Sequence, residues 1–398
     1  MKLVVFHNLP SGGGKRALYE MVRRLAERHV VDVFSLSCAE HRFCDIRPHV
    51  RQYVIHPFKP SPLCHSPFGR LNQGIRAYDL LRLDRLYRRL ATQIDAGGYD
   101  VAFVHNCQFM ASPSLLAYLR TPAVYYCEEP PRQIYEPDVA RPFTALTTLQ
   151  RAGNLLDPLP KLYRKTLRWL DRRGAQSARL VLVNSHYSRE SLYRVYGLFA
   201  QVGYLGVDVK KFVPLGLARE RFALSVGALT PRKGFDFLIR SLSLISPQRR
   251  PSLVLVSNFQ DDREREYLTQ LARRSGVELS MRVLVSDDEL VQLYNTASVT
   301  LYAPIMEPFG FVPIESMACG TPVVGVREAG VRESVLDGET GILTERDEKC
   351  FAQAITYLLD DPDAFARLSK RCREFAEERW SWERAVKRIE TYLESVAR

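Results

Sequence analysis

Short runs of apolar side chains, unbroken by polar positions and separated by helical patterns, constrain this chain more than any other feature. In the first half they are KLVVF (2–6), VVDVFSL (30–36), DVAFVH (100–105), AVYYC (123–127) and RLVLVNS (179–185). In the second half they are FALSVGA (222–228), SLVLVS (252–257), MRVLV (281–285), SVTLYA (298–303) and TPVVGV (321–326). A strand with one wet face alternates apolar and polar residues, whereas a nearly continuous apolar run is buried on both faces. Such strands, alternating with helices, build parallel sheets covered on both sides. The expectation is an α/β protein of two doubly wound, Rossmann-like domains. GVDVKKFVPLGLARE (206–220) breaks the pattern with Gly and Pro, so the domains are expected at 1–212 and 213–379. The last segment, 380–398, reads as a helix expected to pack back on the first domain.

With 398 residues, 46% hydrophobic and 25% charged, the chain is long enough for two cores and is not a disordered sequence. No apolar run approaches the ~18 residues of a membrane-spanning helix. MKLVVFHNLP lacks the apolar length of a signal peptide and reads as a first strand, so a cytoplasmic setting is expected. The eight cysteines are scattered without a C-x-x-C pair, which argues against a zinc site or a disulfide framework. The net charge of +11 concentrates in KRALYEMVRRLAERH (15–29), RLDRLYRRL (82–90) and KLYRKTLRWLDRR (161–173). Each carries apolar residues at helical spacing, such as Leu18, Val22 and Leu25, or Leu162, Leu167 and Leu170. Amphipathic helices on a domain surface account for this, and so does attachment to an anionic membrane face. Nucleic acid is not an expected partner, because no zinc finger, helix-turn-helix or RRM signature is present.

The chemistry-bearing segment is EPFGFVPIESMACGTPVV (307–324), between two strand-like runs. Glu307 and Glu315 stand with seven residues between them, around the expected start of a helix. Carboxylates accept hydrogen bonds from hydroxyls strongly, and free N–H groups at Gly310 and Phe311 suit a phosphate. Together they describe a site for a sugar joined to a diphosphate. In GALTPRKGFDFLI (227–239), Arg232 and Lys233 stand where a strand has ended and a helix is starting, within reach of a diphosphate; solvated surface cations are an equal reading. PSGGGKRALYE (10–20) is a Gly-rich turn opening a helix, in which Gly12 and Gly13 permit close backbone approach; a tight structural turn reads equally well. His105 closes a strand run and counts as a ligand-contact candidate, although a lone histidine is more often structural. Glu128 and Glu129 follow the run 123–127 and precede Pro130 and Pro131, which favours a cleft role over packing. Asp361-Pro362-Asp363 looks like a D-x-D metal site but lies between helical segments, where capping is the better reading.

Jointly these blocks resemble the retaining, nucleotide-sugar-dependent glycosyltransferases of family 4. The resemblance covers nearly the whole chain and rests on SGGGKRALYEMVRRLAERH, NSHYSRESL, GVDVKKFVP, GALTPRKG, EPFGFVPIESMACGTPVVG and DGETGIL. It implies the GT-B architecture, two Rossmann-like domains facing across a cleft. By the same resemblance Glu307 holds donor-sugar hydroxyls, Phe309, Gly310 and Phe311 contact sugar or phosphate, and Glu315 takes the ribose. Arg232 and Lys233 bind the diphosphate, and Gly12 and Gly13 close on it. No metal or other cofactor is implied.

One departure stands out: many relatives have a histidine two residues before the proline pair, in a Cys-His-Thr-Pro-Pro-Arg type of sequence, where this chain reads CEEPPR and Glu128 takes that position. A carboxylate donates no hydrogen bond unless protonated. The expected reaction is transfer of a hexosyl unit from a UDP- or GDP-sugar to a saccharide or lipid-linked acceptor, in glycolipid, lipid-linked oligosaccharide or polysaccharide synthesis. An anionic membrane surface is a further expected partner, which would make the protein peripheral on the inner membrane face. The rival readings are a nucleotide-sugar epimerase or hydrolase on the same fold, and a non-catalytic basic scaffold or nucleic-acid binder.

Overall fold

The computed structural model describes residues 1–65, 68–144, 157–259 and 261–397. The apolar runs become parallel strands in two separate sheets. In the first half these are β1 (Lys2–Asn8), β2 (Val30–Leu36), β3 (Gln52–His56), β4 (Val101–Cys107), β5 (Ala123–Cys127), β6 (Leu180–Val183) and β7 (Gln201–Val202). They lie in the order β3-β2-β1-β4-β5-β6-β7. The second half contributes β8 (Glu220–Val226), β9 (Ser252–Ser257), β10 (Leu279–Val283), β11 (Ala297–Tyr302), β12 (Val323–Val326) and β13 (Gly341–Thr344). Their order is β10-β9-β8-β11-β12-β13. The expectation of two doubly wound parallel sheets is met. Three strands were not legible as apolar runs: β3, β7 and β13, each at a sheet edge. An edge strand has less to bury; β3 has no fully buried residue.

Two compact units follow from these sheets. One comprises Met1–Asp138, Thr144–Tyr204 and Ala385–Arg398, the other Val139–Phe143 and Leu205–Arg384. The exchange thus falls at Tyr204/Leu205 rather than at 212/213, and the short piece Val139–Phe143 counts with the second unit. Helix Trp382–Ala397 starts in the second unit and from Ala385 onward belongs to the first, where Glu390 pairs with His29 at 2.6 Å and Arg28 at 2.9 Å.

The three basic segments are helical. Helix Gly13–Leu25 buries Ala17, Leu18, Met21, Val22 and Leu25, the i, i+3, i+4 spacing of a one-sided helix. Arg23 and Arg24 fall in its last turn, where cations complement the helix dipole. Helix Asn72–Ala96 buries Leu83, Tyr87 and Leu90, and helix Pro158–Ser177 buries Leu167 and Leu170 while Leu162 stays exposed. The Pro-rich stretch 56–72 ends in a 3-10 turn, Phe68–Leu71, with 66–67 outside the described residues. Within 130–160 there is no strand among the described residues, and 145–156 lie outside them.

Asp361 caps helix Pro362–Arg379, accepting from the Ala364 N–H at 2.8 Å, the role read for it from sequence. Cys319 is fully buried, and burial pushes its thiol up to about 12, as befits a packing residue. None of the eight cysteines is disulfide-bonded. Among the described residues no helix is long and apolar enough to cross a membrane.

Candidate functional site

In a doubly wound sheet, ligands bind where neighbouring strands send their connections to opposite sides, at the carboxyl ends. In the second unit that point lies between β8 and β11. The loop after β8 carries Arg232 and Lys233 in a 3-10 turn, Pro231–Lys233, and the loop after β11 carries Glu307. The structure joins them: Lys233 Nζ lies 2.8 Å from Glu307 Oε1. With side-chain exposures of 23% and 22%, the pair adds at most ~1 kcal/mol to stability, so folding alone does not account for it.

Several devices hold the two loops in register. The Ile305 N–H donates to the Arg232 carbonyl at 2.8 Å. Gly234 has φ 67°, and a side chain there would collide with the Ala303 carbonyl. The Lys233 stem lies 3.2–3.5 Å from where a Cβ on Gly227 would stand, so that glycine makes room for it. Arg346 donates to the carbonyls of Ala303 at 3.0 Å and Pro304 at 2.9 Å while paired with Glu328 at 2.7 Å. Met306, immediately before Glu307, sits at φ 53°, a left-handed conformation that costs energy in a non-glycine residue.

Beyond Glu307 the chain turns at Gly310, φ 83°, where a side chain would strike the Tyr302 hydroxyl. Helix Phe311–Ala318 follows with no side-chain cap among the described residues, and a helix start of this kind suits an anion. The Phe309 ring is buried, 5.5 Å from Trp380, and Phe311 is half-buried, 6.1 Å from Trp382. Both rings therefore pack the turn. Glu315 is 5% exposed and accepts from the Tyr294 hydroxyl at 3.0 Å.

The sequence reading missed Arg141. From the piece Val139–Phe143 it reaches Glu264 at 2.8 Å, Asp236 at 3.0 Å and the Pro231 carbonyl at 3.2 Å. It thereby ties the start of the Arg232–Lys233 turn to two carboxylates. A lone arginine in a Pro-rich stretch gives no periodic signal, which is why sequence alone passes over it.

In the first unit the switch point lies between β1 and β4. Gly12, with no atom of the described residues near enough to meet a side chain, and Gly13 open helix Gly13–Leu25, again with no side-chain cap among them. The Glu128 carboxyl rests against the next residue, Gly14, where a side chain would collide with it. Glu128 Oε1 is shut off from solvent and has no hydrogen-bond partner among the described residues, and burial, with a smaller contribution from Glu129, raises its pKa to about 8. The doubt raised by its replacing a histidine changes sign here, since a carboxyl group protonated at neutral pH can donate.

Beside it, Glu129 pairs with Arg132 at 2.5 Å. Asn106 donates to the Glu129 carbonyl at 3.3 Å and accepts from Tyr125 at 2.9 Å. Tyr125 in turn accepts from Ser112, whose N–H is held by the buried Asp171 at 2.8 Å. His105 departs from expectation. It is fully buried within β4, stacked on Tyr126 at 5.4 Å, and burial pushes its pKa down to about 3. It is a neutral core side chain with no surface to offer a ligand.

A carboxyl whose folded pKa exceeds its ordinary 4.5 binds its proton more tightly when folded. Its stabilising contribution is full below about 4.5 and is lost as pH rises through about 8. Glu128→Gln is therefore expected to match wild type in urea unfolding near pH 4.5 and to be the more stable at pH 9, by up to roughly 5 kcal/mol. Parallel stability curves for the two proteins from acid to alkaline pH would exclude a buried, protonated Glu128.

Two parallel-sheet α/β units with polar residues gathered at their switch points define the GT-B class of transferase fold. The chain belongs to glycosyltransferase family 4: that family's model matches residues 11–211, and the model of glycosyl transferases group 1 matches 210–379. Among curated relatives, the D-inositol 3-phosphate glycosyltransferase of Salinispora tropica is 27% identical over 97% of this chain and 82% of its own length. D-inositol 3-phosphate glycosyltransferase 2 of Catenulispora acidiphila is 32% identical over 51% of this chain and 52% of its own, so the match spans about half that relative. In fold, the chain resembles sucrose-phosphate synthase from Thermosynechococcus elongatus, with TM-score 0.73, 19% identity and coverage of 100% and 99%. It also resembles HepE from Anabaena, with TM-score 0.67, 21% identity and coverage of 99% and 100%.

Proposed function

We propose that the protein transfers a hexosyl unit from a UDP- or GDP-sugar to an acceptor hydroxyl, with retention at the anomeric carbon and without a metal. The observation that carries this reading is the Lys233–Glu307 pair on the two switch-point loops of the second unit. Lys233 and Arg232 supply positive charge for a departing diphosphate, and the uncapped start of helix Phe311–Ala318 supplies N–H donors. Glu307 exchanges its ion pair for hydroxyls of the donor sugar, and Glu315 takes the ribose. The bond from the anomeric carbon to the diphosphate oxygen breaks while the bond to the acceptor oxygen forms on the same face. The acceptor proton passes to the leaving diphosphate. Structures of HepE with UDP, with UDP and glucose, and with UDP-glucose support a uridine donor.

A screen of UDP-, GDP- and ADP-sugars for nucleoside diphosphate release, with and without acceptor, tests the reading. Release from a UDP- or GDP-sugar, stimulated by a saccharide acceptor and insensitive to EDTA, is expected; NMR of the product should show the donor's anomeric configuration. A changed donor sugar without any acceptor would point to an epimerase instead. Failure of every nucleotide to bind would return the protein to the scaffold class.

A lipid-linked acceptor at an anionic membrane face is the setting we favour, in glycolipid, lipid-linked oligosaccharide or polysaccharide synthesis. Phe68, Leu71, Tyr78, Leu162 and Trp169 are exposed on or beside helices Asn72–Ala96 and Pro158–Ser177, which pack on one another and are rich in arginine. Basic and apolar side chains together are what an anionic bilayer surface holds. In flotation, the protein should rise with vesicles containing phosphatidylglycerol and stay behind with phosphatidylcholine alone; indifference to both would remove this part.

A further inference from the structure

The first unit contains a cavity of about 370 Å³ at the carboxyl ends of β1, β4 and β5. Its polar lining consists of Asn106, Gln108, Glu128, Glu129, Arg132 and Gln133. The internal bonds of these groups decide what they can offer a ligand. The Asn106 amide is committed on both sides, to Tyr125 and to the Glu129 carbonyl. The Gln108 amide nitrogen donates to the Cys38 carbonyl at 2.8 Å and to Asn8 at 3.3 Å, which leaves its carbonyl oxygen for the cavity. Arg132 is the one cationic side chain among the described residues lining the space, and it lies between Glu129 at 2.5 Å and Glu136 at 3.8 Å.

From this lining we infer that the cavity takes the acceptor as an uncharged polyol or sugar, presenting hydroxyl groups and no phosphate. The inference rests on the reading of the protein as a glycosyltransferase. Carboxyl and amide oxygens match hydroxyl donors. A phosphate would meet a guanidinium already engaged by two carboxylates, Glu129 and Glu136, whose like charge it would have to displace or face across the binding surface. An ammonium ligand is disfavoured in turn. Glu129 is balanced by Arg132, and Glu128, held protonated near neutral pH by burial, adds no charge of its own. The cavity thereby differs from what a ligand such as inositol 3-phosphate demands, even though relatives of this chain carry that compound in their names.

The test is binding to the full chain without donor, by ligand-observed NMR and calorimetry, using myo-inositol against D-inositol 3-phosphate and glucose against glucose 6-phosphate. UDP and GDP are titrated in separate arms. The neutral member of each pair is expected to bind at least ~10-fold more tightly. In Glu129→Gln, where Arg132 loses its shorter carboxylate contact and retains Glu136, that preference is expected to shrink by at least ~3-fold. Equal or tighter binding of the phosphate esters, no binding of either member, or an unchanged preference in Glu129→Gln would overturn the inference. If UDP binds and the phosphate esters win, the inference fails and the transferase reading stands. If neither UDP nor GDP binds while the neutral preference holds, the transferase reading fails and the cavity remains a polyol site.

Discussion

Lys233→Met and Glu307→Gln are each expected to lower kcat/KM by roughly 10²–10³-fold, the range found when one preorganised electrostatic contact to a transition state is removed. The thermal unfolding midpoint should barely move, because the ion pair is about one-fifth exposed and contributes little to folding. The two effects should differ in kind. In the proposed reaction Lys233 faces charge that grows as the diphosphate leaves, so its loss should appear in kcat. In the same proposed reaction Glu307 binds hydroxyls present in both ground and transition states, so its loss should also raise the donor KM. Because each side chain orients the other at 2.8 Å, the double variant should be less impaired than the product of the single effects. Turnover within a few-fold of wild type in either single variant would remove the pair from the site.

The largest effect on stability is expected at Arg141. Its guanidinium lies between Asp236 and Glu264, and the Glu264 side chain is fully buried. Asp236 also has Arg240, whereas Arg141 is what compensates the buried charge on Glu264. Arg141→Ala leaves that charge uncompensated, and breaking a buried pair from one side costs about 3–5 kcal/mol. Lysine should rescue little, since it lacks the fork that reaches both carboxylates and the Pro231 carbonyl together. Removing both charges, as Arg141→Met with Glu264→Leu, should recover most of the lost stability. That variant should still bind donor more weakly, because the Pro231 carbonyl at the head of the Arg232–Lys233 turn has lost its donor. Urea unfolding and donor KM separate the two consequences. A loss below 1 kcal/mol in Arg141→Ala would refute the role given to it.

Particular residues show why some features could be read from sequence and others could not. β2, β5 and β9 run as expected from their apolar letters, because both faces of a central parallel strand must be buried. β3, β7 and β13 lie at sheet edges, where that demand relaxes and the pattern fades. Lys233 and Glu307 could be named because each follows a legible strand, but nothing in their spacing of 74 residues announces an ion pair. His105 looked like a ligand contact because it ends an apolar run; one position in β4 decides between cavity and core, and it falls in the core beside Tyr126. Arg346 and Arg141 are single cations in unremarkable segments, and their carbonyl and carboxylate partners are remote in sequence.

The sequence by itself determined the class of fold, the two-sheet organisation and the segments from which site residues come. Those properties follow from local periodicity and from the need to bury apolar faces. Tertiary structure alone decided how those residues are used: that Lys233 meets Glu307, that Arg141 holds the turn before them, and that Glu128 settles against Gly14 with its proton retained. Charge states and pairings depend on burial and on groups far apart along the chain, and only folding brings these together.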